Sequence, residues 1–84
     1  MSIKLFYFAH LRETLGTAGE EIALPAAVAD IAALRAHLAA RGDSWSVLTQ
    51  SQNLRAAVNQ QMVGPQGAIA DGDEIAFFPP VTGG

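Results

Sequence analysis

The sequence contains no cysteine among its 84 residues. That absence excludes a disulfide scaffold, a thiolate zinc site, an iron–sulfur cluster and a cysteine nucleophile. Only five residues are basic, they form no run, and the formal net charge is -3, so nucleic acid finds no basic patch to bind. No apolar run approaches the length of a membrane span, and no secretory signal pattern opens the chain. We therefore expect a soluble cytoplasmic protein that binds neither nucleic acid nor membrane.

The length predicts one small domain. Half of the residues are hydrophobic and only 15% are charged, a balance typical of a folded chain rather than a disordered one. The apolar fraction is high for so small a soluble domain. Either some apolar surface is left for a partner to cover, or abundant alanine inflates the count, and composition leaves both interpretations open.

Local patterns predict five strands and one main helix. The first strand spans residues 3–8, is rich in aromatic and branched side chains, and is apolar on both faces. Asp30 is a good N-cap for a helix over residues 31–41, which Gly42 terminates. The remaining predicted elements are a short helical turn over 9–15, strands over 20–24, 54–58, 61–63 and 74–78, a hairpin turn at Asn59 and Gln60, and a loop anchored by Trp45, Val47 and Leu48.

This element order predicts an α+β fold of the β-grasp, or ubiquitin-like, type. One helix would lie across a mixed sheet of four to five strands, with the first and last strands as parallel neighbours at its centre. The domain would span residues 1–79, and residues 80–84 would form an extended carboxyl-terminal tail.

Four phenylalanines are candidates for a partner interface on this sheet. Phe6 and Phe8 stand on one face of the first strand, and Phe77 and Phe78 alternate along the last strand. One helix can cover only one face, so aromatic side chains on the other face must meet solvent or a partner. The sequence leaves open which face that is.

The last seven residues, 78–84, carry the strongest functional signal. Pro79 and Pro80 end the strand and direct the chain away from the body, because proline cannot continue a sheet ladder. Five residues from Pro80 onward reach at most about 17 Å at about 3.4 Å per residue, enough to enter another protein's buried site. Gly83 and Gly84 lack Cβ atoms and suit a narrow channel. Adenylation by ATP would make the terminal carboxylate of Gly84 reactive toward a sulfur nucleophile.

Several stretches resemble the small subunit of molybdopterin synthase, the MoaD type of sulfur carrier, across essentially the full length. The most specific of them is Asp-Gly-Asp-Glu-Ile-Ala-Phe-Phe-Pro-Pro-Val-Thr-Gly-Gly over residues 71–84. The less specific ones are residues 5–9, 11–13, 34–38 and 57–59.

The resemblance implies that an adenylyltransferase related to ubiquitin activators forms an acyl-adenylate on Gly84, and that a sulfur donor protein makes the thiocarboxylate. The loaded tail would then enter the large subunit of a heterotetrameric synthase and donate sulfur to cyclic pyranopterin monophosphate in molybdenum cofactor biosynthesis. The chain would hold no permanent cofactor, and the activating partner would consume ATP. The residues that the large subunit would receive are Pro80, Val81, Thr82, Gly83 and Gly84.

No side chain in the sequence forms a catalytic dyad, a triad or a phosphate loop, so the catalytic groups are expected on the partners. His10 and His37 have no further ligand at metal-binding spacing, and no metal site is predicted. Whether the chain counts as an enzyme by itself stays open. Three alternatives also stay open: a sulfur carrier of thiamin synthesis, a ubiquitin-like modifier joined to lysines, and an interaction module with an inert tail.

Overall fold

The computed structural model describes residues 1–50 and 53–79. The described chain folds as one sheet with helices packed on it. The elements in chain order are β1 (Ser2–Tyr7), α1 (His10–Leu15), β2 (Gly19–Ala23), α2 (Ile31–Ala39), a 3-10 turn (Asp43–Ser46), α3 (Val47–Gln50), β3 (Arg55–Val58), β4 (Gln61–Val63) and β5 (Glu74–Phe78).

The five strands lie in the order β2-β1-β5-β3-β4. The central strands β1 and β5 are parallel, with Leu5 level with Ile75. The other three pairings are antiparallel. This arrangement confirms the predicted mixed sheet with its first and last strands paired at the centre.

The helix α2 covers one face of the sheet. Its apolar stripe of Ile31, Leu34 and Leu38 is buried against β1 and β5, because these positions recur once per helical turn. Asp30 caps the helix as predicted, its carboxylate accepting a hydrogen bond from the Ala33 N–H at 2.8 Å. The helix ends at Ala39, two residues earlier than predicted. The predicted loop that follows is instead largely helical, comprising the 3-10 turn and α3.

The predicted hairpin between β3 and β4 is confirmed. Asn59 and Gln60 take positive φ values of 51° and 72°, the combination that a two-residue type I′ turn requires. The Asn59 amide also bonds to the start of β5, accepting from the Glu74 N–H and donating to the Asp73 carboxylate, each at 3.0 Å. This side chain therefore joins the hairpin to the central strand.

Four polar and aromatic side chains connect the sheet to the region after α2. The Tyr7 hydroxyl donates to Glu20 at 3.0 Å, and Arg41 donates to both Glu20 carboxylate oxygens at 2.8 and 3.1 Å. The Arg41 guanidinium lies 4.4 Å from the centre of the Trp45 ring, which meets Tyr7 edge to face. The Arg41–Glu20 contact is the only ion pair among the described residues.

This cluster stabilises the charged form of Glu20. The hydrogen bonds from Arg41 are the main cause of a lowered Glu20 pKa, and the bond from Tyr7 acts in the same direction. The pKa of Tyr7 is raised, chiefly because burial disfavours the phenolate and also because the Glu20 charge lies close by. Both shifts keep Tyr7 a hydrogen-bond donor and Glu20 an acceptor across the physiological range.

We therefore expect Glu20→Gln to destabilise the fold in a pH-dependent way. Because the pKa of Glu20 is lower in the folded than in the unfolded state, its pairing stabilises the fold above the unfolded value of about 4.3 and is lost as pH falls through the folded value. The free energy of unfolding should drop by about 1 kcal/mol near pH 7 and by much less near pH 2. Urea unfolding at both pH values measures this difference.

Glu13→Gln is the matched control, since it removes the same charge from an exposed position of α1. It should change the free energy of unfolding near pH 7 much less than Glu20→Gln does. A Glu20→Gln loss of the same size at both pH values would contradict the assignment.

Candidate functional site: the open face and the tail exit

The predicted tail residues, 80–84, lie outside the described residues. The strand that precedes them is described, and it occupies the centre of the sheet. β5 ends at Phe78, level with Arg55 of β3, and Pro79 follows. The last residue of β5 is therefore held by its pairing with β3.

The sheet face opposite α2 carries an apolar patch, here named the open face and defined by Phe6, Phe8, Met62, Ala76 and Phe78. Phe6, Phe8 and Met62 are 36%, 49% and 60% exposed. Ala76 lies level with Phe6 on one side and with Ala57 on the other, and Ala57 is level with Met62. Two alanines thus separate the large side chains of Phe6 and Met62.

The small side chain of Ala76 leaves a depression in this surface. Its volume is about 240 Å³, and it is lined by Phe6, Phe8, Gln60, Glu74 and Ala76. A neighbouring row of the same face is charged, with Lys4 level with Glu21 on β2 and with Glu74 on β5. The open face thus offers apolar contact area bordered on one side by charges, the composition of a binding surface.

Phe77 does not belong to this surface, and its assignment as a candidate interface residue was wrong. It is fully buried and stacks on Tyr7 with ring centroids 6.4 Å apart. Side chains alternate along a strand, so Ile75 and Phe77 point into the core beneath α2 while Ala76 and Phe78 point to the other face. Phe6, Phe8 and Phe78 remain candidate interface residues.

Sequence analysis missed Met62 as a member of the open face. Val63 packs against the core, so alternation places Met62 on the opposite face of β4. The alternation of Met62 with Val63 can be read from the sequence. It places Met62 on the open face only once the side of the hairpin that faces the core is known.

Two kinds of feature are absent from the described residues: a group of metal-binding side chains and a membrane-spanning helix. Across residues 1–50 and 53–79, no three histidine, aspartate or glutamate side chains are grouped so that they could hold a metal ion. No helix within those same ranges is long and apolar enough to cross a membrane.

The element order, the parallel central pair and the single main helix define a ubiquitin-like β-grasp domain. The crystal structure of SAMP1 from Haloferax volcanii has this fold. It is 24% identical to the chain, the match covers all of both chains, and the TM-score is 0.76. The fold also recurs in a protein–protein complex of subunits 1 and 2 of molybdopterin-converting factor from Helicobacter pylori 26695, with 22% identity, full coverage of both chains and a TM-score of 0.66.

Sequence comparison identifies the family. The ThiS family model matches residues 5–84. The molybdopterin synthase sulfur carrier subunit of Escherichia coli strain K12 is 48% identical over 82 residues, which cover 98% of this chain and 99% of the relative. The chain therefore belongs to the ThiS family, and its similarity to a molybdopterin synthase sulfur carrier subunit confirms the resemblance found in the sequence.

The two faces of the sheet should respond differently to the loss of a phenyl ring. Phe77→Ala should lower the free energy of unfolding by about 3–5 kcal/mol, because it leaves a cavity in the core. Phe8→Ala removes the same atoms from a half-exposed position and should cost less than about 1 kcal/mol. Denaturant unfolding of both variants makes the comparison, and similar losses would contradict the assignment of the two faces.

Proposed function

We propose that this chain is the sulfur-carrier subunit of a molybdopterin synthase, acting in the cytoplasm, with Gly84 as its reactive residue. One observation carries the proposal: the family match continues through residue 84, so it includes the whole segment that follows the central strand β5. A tail ending in two glycines at that place suits a carboxylate that must enter the sites of other proteins.

The proposed chemistry takes place on the carboxylate of Gly84. On an adenylyltransferase, one carboxylate oxygen attacks the α-phosphorus of ATP, pyrophosphate leaves, and an acyl-adenylate forms. A sulfide nucleophile supplied by a donor protein then attacks the carbonyl carbon. The carbon–sulfur bond forms as AMP departs, leaving a thiocarboxylate. ATP is thus consumed by the activating partner, and the carrier itself needs no bound cofactor.

The fold's part in this chemistry is to position the tail. β5 is paired with β1 in parallel register up to Phe77 and with β3 in antiparallel register up to its last residue, Phe78. A tail anchored to so constrained a strand reaches a docked partner's site without a further search, and binding converts sulfur transfer into an intramolecular step. The catalytic groups, and the site for cyclic pyranopterin monophosphate, belong to the large subunit.

The open face is the proposed docking surface for that large subunit. Phe6, Phe8 and Phe78 present aromatic area next to the tail exit, and aromatic side chains contribute strongly to protein interfaces. The Helicobacter pylori neighbour, a complex of two subunits, supports a partner of this kind. The charged row of Lys4, Glu21 and Glu74 would fix the orientation of the partner.

Gly84→Val tests the role of the tail. The new side chain lies beside the carbon that must be adenylated and attacked by sulfur, so the loss should fall on the reaction rather than on docking. We expect binding to both partners within a few-fold of the parent, together with loss of most adenylation or sulfur transfer. Calorimetry measures the binding, and single-turnover assays with the purified partners measure the two reactions separately.

Gly83→Ala is the graded comparison, since its methyl group stands one residue from the reacting carbon, and its effect should be milder. Normal turnover by Gly84→Val would mean that the diglycine end is incidental, and the carrier function would then be wrong.

Phe8→Asp tests the open face. A charge in the centre of an apolar contact should weaken binding of the large subunit by about thirtyfold or more, the size of an interface hot spot, while thermal stability changes little. His37→Asp places the same charge on the exposed side of α2 and should bind normally. Unchanged affinity in Phe8→Asp would exclude this face as the docking surface.

A further inference from the structure

The depression over Ala76 on the open face combines aromatic walls with a carboxylate at its rim. Phe6 and Phe8 line it, and both rings are partly exposed. Glu74 also lines it and lies two positions before Ala76 on β5, so its side chain emerges on the same face. At about 240 Å³ the depression is smaller than most sites for small molecules, and it suits a single side chain of another protein.

The Glu74 carboxylate is not neutralised by the described part of the chain. Lys4 lies level with it on β1, but the two side chains do not form an ion pair. Across residues 1–50 and 53–79, no hydrogen bond reaches this carboxylate. Glu21, on the other side of Lys4, differs in that it accepts a hydrogen bond from the Ser2 hydroxyl. Glu74 is thus an exposed negative charge without a partner among these residues, and it stands beside two phenyl rings.

The same combination of groups already binds an arginine elsewhere in this chain. Arg41 donates to both carboxylate oxygens of Glu20, and its guanidinium lies 4.4 Å from the centre of the Trp45 ring. Arginine meets both groups at once because its planar guanidinium stacks on an aromatic ring while its N–H groups pair with a carboxylate. The described lining of the open-face depression contains the rings and the carboxylate but no arginine.

We propose that this depression receives an arginine side chain of the large subunit. The apolar stem of that arginine packs over Ala76 against Phe6 and Phe8, and its guanidinium pairs with the Glu74 carboxylate. This proposal rests on the proposed function, in which the open face docks the large subunit. Arginine is enriched at protein interfaces and is a frequent hot-spot residue, so a single anchor of this kind contributes strongly to docking.

Glu74→Gln tests the charge, because it removes the carboxylate with almost no change of shape. We expect it to weaken binding of the purified large subunit by about tenfold at low salt, the worth of one charge-assisted hydrogen bond, and to reduce the salt dependence of the affinity. Asp43→Asn is the matched control, since it removes the same charge from an exposed position in the 3-10 turn that packs against α2. The control should bind within about twofold of the parent.

Ala76→Val tests the depression itself, because valine fills the space without altering a core residue. We expect it to weaken binding by about tenfold or more, since the anchor can no longer enter. Adding Glu74→Gln to this variant should weaken binding little further, because both changes remove the same contact. Ala76→Ser keeps the side chain small and should bind as the parent does. Calorimetry measures each affinity, and thermal unfolding verifies that each variant is folded.

Nuclear magnetic resonance identifies the chemistry of the anchor. The large subunit is isotopically labelled at its arginine nitrogens, and its Nε–H resonances are recorded before and after saturation with the unlabelled carrier. One resonance should move upfield, as expected for a proton above a phenyl ring, and this shift should be absent when Ala76→Val saturates the complex. If no arginine resonance differs between these two complexes, the anchor is not an arginine and the proposal is wrong.

The outcomes separate this proposal from the function beneath it. If the parent binds the large subunit and transfers sulfur while Glu74→Gln binds as the parent does, the anchor proposal is wrong and the carrier function stands. Weak binding by Ala76→Val alone would then assign an apolar anchor. If Glu74→Gln instead weakens only the adenylyltransferase complex, or only dissociates dimers of the free chain, the arginine belongs to another partner and the proposal is overturned. If the parent does not bind the large subunit at all, both are wrong.

Discussion

The parallel pairing of β1 with β5 is the constraint on which the rest of the structure depends. It joins the two ends of the described chain at the centre of the sheet, and hydrogen bonds from the Lys4 N–H to the Asp73 carbonyl and from the Phe8 N–H to the Phe77 carbonyl lie at its two limits. Parallel neighbours cannot be joined by a tight turn, so the intervening chain must leave the sheet and return. That intervening chain supplies α2, which covers one face and leaves the other uncovered.

The same pairing explains how a small domain can combine a stable core with a reactive terminus. β5 is flanked by partners on both sides, so its backbone groups are satisfied within the sheet. The segment after Phe78 therefore begins from a position that folding has fixed. With no cysteine in the chain, a sulfur atom carried at the terminus has no internal thiol with which to exchange.

Local features of the fold could be predicted from the sequence because they depend on neighbouring residues. Asp30 as a helix cap follows from the hydrogen bond that its side chain accepts from Ala33, three residues along the chain. Asn59 as a turn residue follows from the positive φ that asparagine tolerates. The cluster of Tyr7, Glu20 and Arg41 could not be predicted in this way, since its members are far apart in the sequence and meet only when α2 is placed on the sheet. Phe77 and Phe78 show most clearly which part of the fold could not be predicted from the sequence. Alternation requires that they face opposite ways, but the position of α2 decides which of them is buried.

Alternation along β5 also places neighbouring residues under two different constraints, one from the core and one from the open face. Ile75 and Phe77 are held in place by the core, whereas Ala76 and Phe78 point to the other face of the sheet and shape the open face. A change at Ala76 to a larger side chain would fill the depression without enlarging any core residue. Successive positions of one strand can therefore diverge at different rates, so that lineages can exchange one partner for another while the inherited fold stays the same.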